Sequence, residues 1–236
     1  MQSSAVLPKS PLRGISSMAT RQLLAQLTSD WQRSCGLQAV FESVGGVDAA
    51  KRVQAGEAFD IVALASDAIE KLMAAGCLMP GSKVNLVRSG TSVTVREGAS
   101  LPDIASEAAV KAAVLAARSV SYSTGPSGVA LARLFERWGI ADRIKDRIVT
   151  PAPGTPVASL VARGEVELGF QQLSELLHVP GIAIVGPLPP AIAIDTIFSA
   201  AIGRDSARAE DARALLAYMA SPEAADAKRR QGMDPA

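Results

Sequence analysis

Short apolar runs that end in small polar residues, each followed by apolar residues at helical spacing, constrain this chain more than any other feature. The runs at 12–15, 37–44, 59–65, 120–122 and 166–170 end in Ser16-Ser17, Gly45-Gly46, Ser66-Asp67, Ser123-Thr124-Gly125-Pro126-Ser127-Gly128 and Gln171-Gln172. Runs of this length read as strands. Their alternation with helical patterns predicts a layered α/β fold. In an open α/β sheet the polar clusters then lie at the carboxyl ends of strands, where ligands bind. The helices that follow aim free N–H groups and a partial positive charge at the same place, so the natural guest is an anion.

The helices are read from spacing. Leu24, Leu27 and Trp31 share one face after a Ser17 N-cap. Ile69, Leu72 and Met73 precede Gly76, and Val110, Ala113, Val114 and Ala117 recur at i, i+3, i+4 and i+7. Leu131, Leu134, Phe135 and Trp138 do the same before Gly139, and Val157, Leu160 and Val161 precede Gly164. A late helix carries Ala212, Leu215, Leu216 and Met219, and Ser221-Pro222 starts another. A strand pair is predicted at 84–87 and 92–96.

The pattern runs twice, over about 10–85 and about 90–188. The stiff stretch Gly186-Pro187-Leu188-Pro189-Pro190 then leads into one apolar strand at 193–202, followed only by helices. One strand cannot build a sheet, so this tail returns to the first half. The expected architecture is two lobes, each a mixed, mostly parallel sheet flanked by helices. Residues 1–86 and 191–236 form the first lobe and 87–190 the second. The crossings fall near 85–90 and 188–196, with the ligand cleft between the lobes.

Composition narrows the function. Of 236 residues, 48% are hydrophobic and 20% charged, which argues for a folded core. A net charge of +1 lacks the basic footprint of a nucleic-acid binder. Lys228-Arg229-Arg230 reads as a favourable charge at a helix C-terminus. No window approaches the ~20 apolar residues of a membrane span. Residues 1–10 are polar and lack the apolar core of a secretory signal. Two locations stay open: periplasmic if a signal peptide has been removed, otherwise cytoplasmic. Cys35 and Cys77 read as buried thiols, with a disulfide only after export. His178, the single histidine, reads as part of a helix end. The chain lacks a His/Cys set for zinc and a dinucleotide fingerprint, so neither metal nor cofactor is expected. Residues 124–128 resemble an anion nest. They are not a P-loop, and Val129 replaces the glycine of a nucleophile elbow.

Together these segments resemble the type II periplasmic binding-protein family, most closely its molybdate-binding branch, which also includes an aconitate isomerase. The resemblance covers nearly the whole chain. It is carried by Ser16-Ser17-Met18, Ala55-Gly56-Glu57 before Phe59-Asp60-Ile61-Val62, Ser66-Asp67, Tyr122-Ser123, Ser127-Gly128, Gly164-Glu165, Gly186-Pro187-Leu188-Pro189, Ser221-Pro222 and Gly232-Met233-Asp234-Pro235. The resemblance implies an oxyanion held in the cleft by neutral donors. The family's contacts fall here on Ser16 or Ser17, on Gly45-Gly46, on Ser123, Thr124, Gly125 and Ser127, on Pro156-Val157, and on Gln171 or Gln172. Glycines stand where the family has its second serine, and glutamines where it has a tyrosine. The glycine pair leaves room for a larger anion, one bearing carboxylates.

Arg88, near the first crossing, would offer a planar fork to such a carboxylate. Arg13 and Arg96 are weaker candidates, because strand arginines usually face solvent. The leading reading is a solute-binding protein that holds a small anion and serves a membrane permease. The alternatives are an isomerase that moves a proton along an allylic tricarboxylate, and a cytoplasmic sensor of the same ligand. For the isomerase the catalytic group stays unassigned among Glu42, Asp67, Tyr122 and Glu175.

Overall fold

A computed structural model describes residues 10–152 and 154–236. The polar segment at 1–9 lies outside the described residues. The first strand, β1 (Leu12–Ser17), runs through a short 3-10 turn into α1 (Arg21–Cys35). Next come β2 (Ala39–Val44), α2 (Gly46–Gln54), β3 (Ile61–Ala65) and α3 (Ser66–Ala74). The chain continues through β4 (Val84–Arg96), α4 (Glu107–Ala116), β5 (Val120–Tyr122), α5 (Pro126–Arg137) and α6 (Ala141–Ile144). It then forms α7 (Val157–Ala162), β6 (Leu168–Gln172), α8 (Leu173–Leu176) and β7 (Ile182–Pro187). It closes with β8 (Asp195–Ile202), α9 (Ala209–Ala220), α10 (Ala225–Arg230) and β9 (Asp234–Pro235).

The strands join in the order β2-β1-β3-β8-β4-β6-β5, with β7 and β9 also paired to β4. The sheet is mixed. β1 runs parallel to β2 and β3, and β5 runs parallel to β6. β8 lies antiparallel to both β3 and β4, and β4 lies antiparallel to β6 and β7. The antiparallel share exceeds what strand–helix alternation predicts, because β8 runs opposite to β3 and β4, and β4 opposite to β6 and β7.

The predicted strand pair at 84–87 and 92–96 is instead the single long strand β4. Residues 84–90 pair with β8, and residues 91–96 pair with β6 and β7. Gly90 does not break the strand, because pairing continues on both sides of it. The Thr91 N–H donates to the Ile194 carbonyl at 2.9 Å, and the Leu188 N–H donates to the Thr91 carbonyl at 3.1 Å.

The strand at 61–65 is uniformly apolar because both sheet faces are covered there. Along β3, Ile61, Ala63 and Ala65 face a core shared with Leu23, Leu24, Leu27, Leu215, Leu216 and Met219. Val62 and Leu64 face a second core with Ala49, Val53, Ile69 and Leu72. The period of two in the strand meets helices on each side. The other end of the sheet repeats this plan. Val93, Phe170 and Val120 pack against Val110, Val114, Leu131 and Phe135, and a smaller cluster holds Val157, Leu160, Val161 and Val166.

Cys35 and Cys77 are free thiols. Burial was the expectation, but Cys35 is exposed and Cys77 half-buried, since each sits just at or beyond a helix end. No helix among the described residues is long and apolar enough to cross a membrane.

Candidate functional site

The carboxyl ends of β1, β3, β5 and β6 open onto one cleft of about 740 Å³, within the range of small-molecule sites. Its walls come from both ends of the sheet. Ser17, Gly45 and Gly46 line one side, and Ser123, Thr124, Gly125 and Ser127 line the other. Pro156, Val157, Gln171 and Gln172 also line it.

Two expected residues lie elsewhere. Ser16 is fully buried inside the sheet, and its Oγ shares a hydrogen bond of 2.8 Å with Ser43 Oγ. The neighbouring Ser17, the last residue of β1, is the one that reaches the cleft. Arg88 is the second correction. Its strand position is opposite Asp234 of β9, and its guanidinium pairs with that carboxylate at 3.4 Å on the exposed edge. Arg13 also lies away from the cleft, over the Phe59 ring.

Ser17 does not cap a helix with its side chain. Its Oγ is buried and has no hydrogen-bond partner among the described residues. An unmet buried hydroxyl is costly, and a ligand oxygen in the cleft would satisfy it. Across the cleft, Ser123 Oγ and Ser127 Oγ lie 3.0 Å apart, so a hydroxyl proton remains free to donate outward. Pro126 opens α5 at its first turn, where it forfeits only an N–H without an intrahelical acceptor. Gly128 lets that turn close. A Cβ there would stand 1.6 Å from the Ser123 carbonyl oxygen. At Gly46 a Cβ would meet only Ser17 Cβ, at 3.6 Å, so this glycine leaves open space rather than relieving a clash.

The two glutamines differ in role. Gln171 is locked: its Oε1 accepts from the Ala158 N–H at 2.9 Å, and its Nε2 donates to Glu175 Oε1 at 3.0 Å. Gln172 Nε2 donates to Thr196 Oγ1 at 2.9 Å, and Gln172 Oε1 has no partner among the described residues. The Thr196 hydroxyl can donate as well as accept, so rotating the amide would present its N–H₂ to an anion instead.

Glu175 lines the cleft, and burial pushes its carboxyl from 4.5 to about 7. Gln171 and Arg21 oppose the shift without cancelling it. The other acid/base candidates are engaged differently. Glu42 is held low by a fork from Arg52, with contacts of 2.6 and 2.9 Å. Asp67 sits exposed at the mouth, 4.0 Å from Lys71. Tyr122 is raised by burial and packs edge-on to Phe135 outside the cleft lining. His178 meets Gln231 at 3.1 Å, away from the cleft. The described residues contain no group of His, Cys, Asp and Glu able to hold a metal ion.

Thr196, Lys51 and Arg133 also line the cleft and carry no signal in the sequence. Thr196 comes from β8, distant in sequence from Gln172. Lys51 and Arg133 fall on the exposed faces of α2 and α5, where charges are commonplace.

Four likenesses to known proteins bear on this geometry. A family model described as bacterial extracellular solute-binding protein matches residues 12–234. An aconitate isomerase from Pseudomonas sp. is 38% identical over 239 residues, covering 98% of this chain and 90% of that protein. The periplasmic molybdate-binding protein of Azotobacter vinelandii shares the fold with a TM-score of 0.79 at 21% identity, covering 94% of this chain and 98% of that one. The sulfate-binding protein of Mycobacterium tuberculosis H37Rv does so with a TM-score of 0.78 at 13% identity, covering 96% and 87%.

Proposed function

The chain belongs to the bacterial extracellular solute-binding protein family, and from that premise we propose that it captures a small carboxylate anion in the cleft. The observation that carries this reading is the Ser17 hydroxyl, without a partner among the described residues, at a cleft where Gly45 and Gly46 bring no side chain. Ser17, the Ser123–Ser127 pair and the N-terminal N–H groups of α2 and α5 supply neutral donors. Lys51 and Arg133 add positive charge at the mouth and have no ion-pair partner among the described residues. Of the residues expected from sequence, Ser16, Arg88, Arg13 and Arg96 lie outside the cleft lining, and the serines, glycines and glutamines that line it supply the surface for this reading. In this role the protein works outside the cytoplasm and hands its ligand to a membrane permease.

The test is a thermal-shift and calorimetric panel of molybdate, sulfate, and di- and tricarboxylates. A ligand at 100 times its dissociation constant stabilises the fold by about 2.7 kcal/mol. Tricarboxylates should raise the melting temperature more than the tetrahedral oxyanions. A response to molybdate or sulfate alone would defeat the carboxylate reading. Gly46→Ser should leave the fold intact and weaken tricarboxylate binding by about tenfold or more, since it fills the space beside Ser17.

A second reading is favoured by the full-length likeness to an aconitate isomerase. On that reading the bound tricarboxylate is also converted, by transfer of a proton between the two ends of its allylic unit. Incubating cis-aconitate with the protein and following the trans isomer by proton NMR decides between capture and turnover.

A further inference from the structure

We propose that Glu175 is the catalytic carboxyl of this cleft, carrying the proton between the two ends of an allylic tricarboxylate. The proposal rests on the isomerase reading and names the group that reading lacks. Four acid/base candidates stand near the cleft in sequence, and the geometry separates them. Only Glu175 combines a place in the cleft lining with the absence of an ion pair among the described residues. Glu42 is spent on Arg52, Asp67 faces solvent beside Lys71, and Tyr122 lies outside the lining.

Glu175 is also held in place. The Ala158 N–H fixes the oxygen of Gln171, which leaves Gln171 Nε2 no choice but to face Glu175 Oε1, 3.0 Å away. The second carboxyl oxygen, Oε2, has no hydrogen-bond partner among the described residues, so it is free to meet a substrate C–H. Gln171 is therefore a positioning residue, with α7 and β6 holding it from both ends. The carboxyl's affinity for a proton near neutral pH suits a group that must both take and return one.

The step balances without a co-reactant. The Glu175 carboxylate removes a proton from the methylene carbon of the substrate. The C–H electron pair spreads over the three-carbon allylic unit and its attached carboxylates, stabilised by the cleft's donors. The carboxyl then returns the proton to the far end of that unit. One C–H bond breaks and one forms, the double bond moves by one carbon, and no atom is oxidised or reduced.

The experiment follows conversion of cis-aconitate by wild-type protein and by Glu175→Gln and Gln171→Leu, with ligand-induced thermal shifts measured alongside. Glu175→Gln should lower the rate at least a hundredfold while cis-aconitate still raises its melting temperature. In wild type the rate should fall as pH drops through neutrality. Gln171→Leu should move that acid limb to higher pH, because it removes a hydrogen bond that favours the carboxylate. A structural role for Gln171 would leave the limb in place. If Glu175→Gln does not fold, the Gln171→Leu profile carries the test. A wild-type rate with a Glu175→Gln rate equal to it overturns the role of Glu175 alone. A wild-type protein that binds cis-aconitate without converting it overturns the isomerase reading and this role together.

Discussion

Ser17 is the side chain at which folding and binding are set against each other. Its buried Oγ has no partner among the described residues, a cost to folding that a ligand oxygen would relieve. Ser17→Ala should therefore hold or raise stability, by about 1 kcal/mol, in urea unfolding without ligand. The same change should weaken anion binding by about tenfold to a hundredfold in calorimetry, the worth of a hydrogen bond to a charged group. A loss of stability would mean that the hydroxyl serves the fold. Glu175 sets the same opposition through pH. Its carboxyl binds a proton up to about 7 when folded, against 4.5 ordinarily. Stability is then full below 4.5, falls as pH rises toward 7, and levels off above it. The whole fall amounts to about 3 kcal/mol. Glu175→Gln should abolish that slope, so its advantage over wild type in unfolding experiments should be absent near pH 4 and largest near pH 8. An equal effect at both pH values would refute the raised proton affinity.

Helix α5 shows how one element fixes one wall of the cleft. Its first turn closes on the Ser123 carbonyl only because Gly128 lacks a Cβ. Gly128→Ala should destabilise the protein by about 3 kcal/mol in denaturant unfolding and abolish ligand-induced stabilisation. Gly46→Ala, which meets only ordinary contact, should unfold close to wild type. A stable Gly128→Ala protein would show that the turn can relax. The sequence made this element legible because its signals are local: a short apolar run, Gly125-Pro126 at the start, Gly139 at the end. The same locality explains the misreadings. The stretch 84–96 read as two strands, but pairing with β8, β6 and β7 carries β4 through it as one. Ser16 and Ser17 are alike in sequence, and only the register with β2 spends Ser16 on Ser43. Arg88 is claimed by Asp234, a partner 146 residues away. Glu175 and Thr196 gain their places through Gln171 and Gln172, contacts that depend on the tertiary pairing of β6, α7 and β8.

The molecule as a whole is two sets of cores tied by few covalent paths. The cores around β3 lie at one end of the sheet and those around β6 at the other, and the chain passes between them along β4 and through the stretch 188–194. Buried hydroxyls of Ser89, Thr91 and Ser92 have no hydrogen-bond partner among the described residues beside the first passage, and Gln172 Nε2 donates to Thr196 Oγ1 beside the second. We propose that the two ends of the sheet move as lobes about these passages. An anion that takes Ser17 from one wall and Ser123 and Ser127 from the other favours the arrangement in which both reach it, and it can shift the population only by that difference in contacts. Small-angle scattering should then show a radius of gyration near the ~17 Å expected of a compact chain of this length, falling on addition of tricarboxylate. The fall should be lost in Ser17→Ala at the same ligand concentration, since one wall no longer grips, and should return at higher concentration as the weakened site fills. Saturable binding by calorimetry with an unchanged scattering curve would mean that the cleft is already closed, and that the ligand enters between fixed walls.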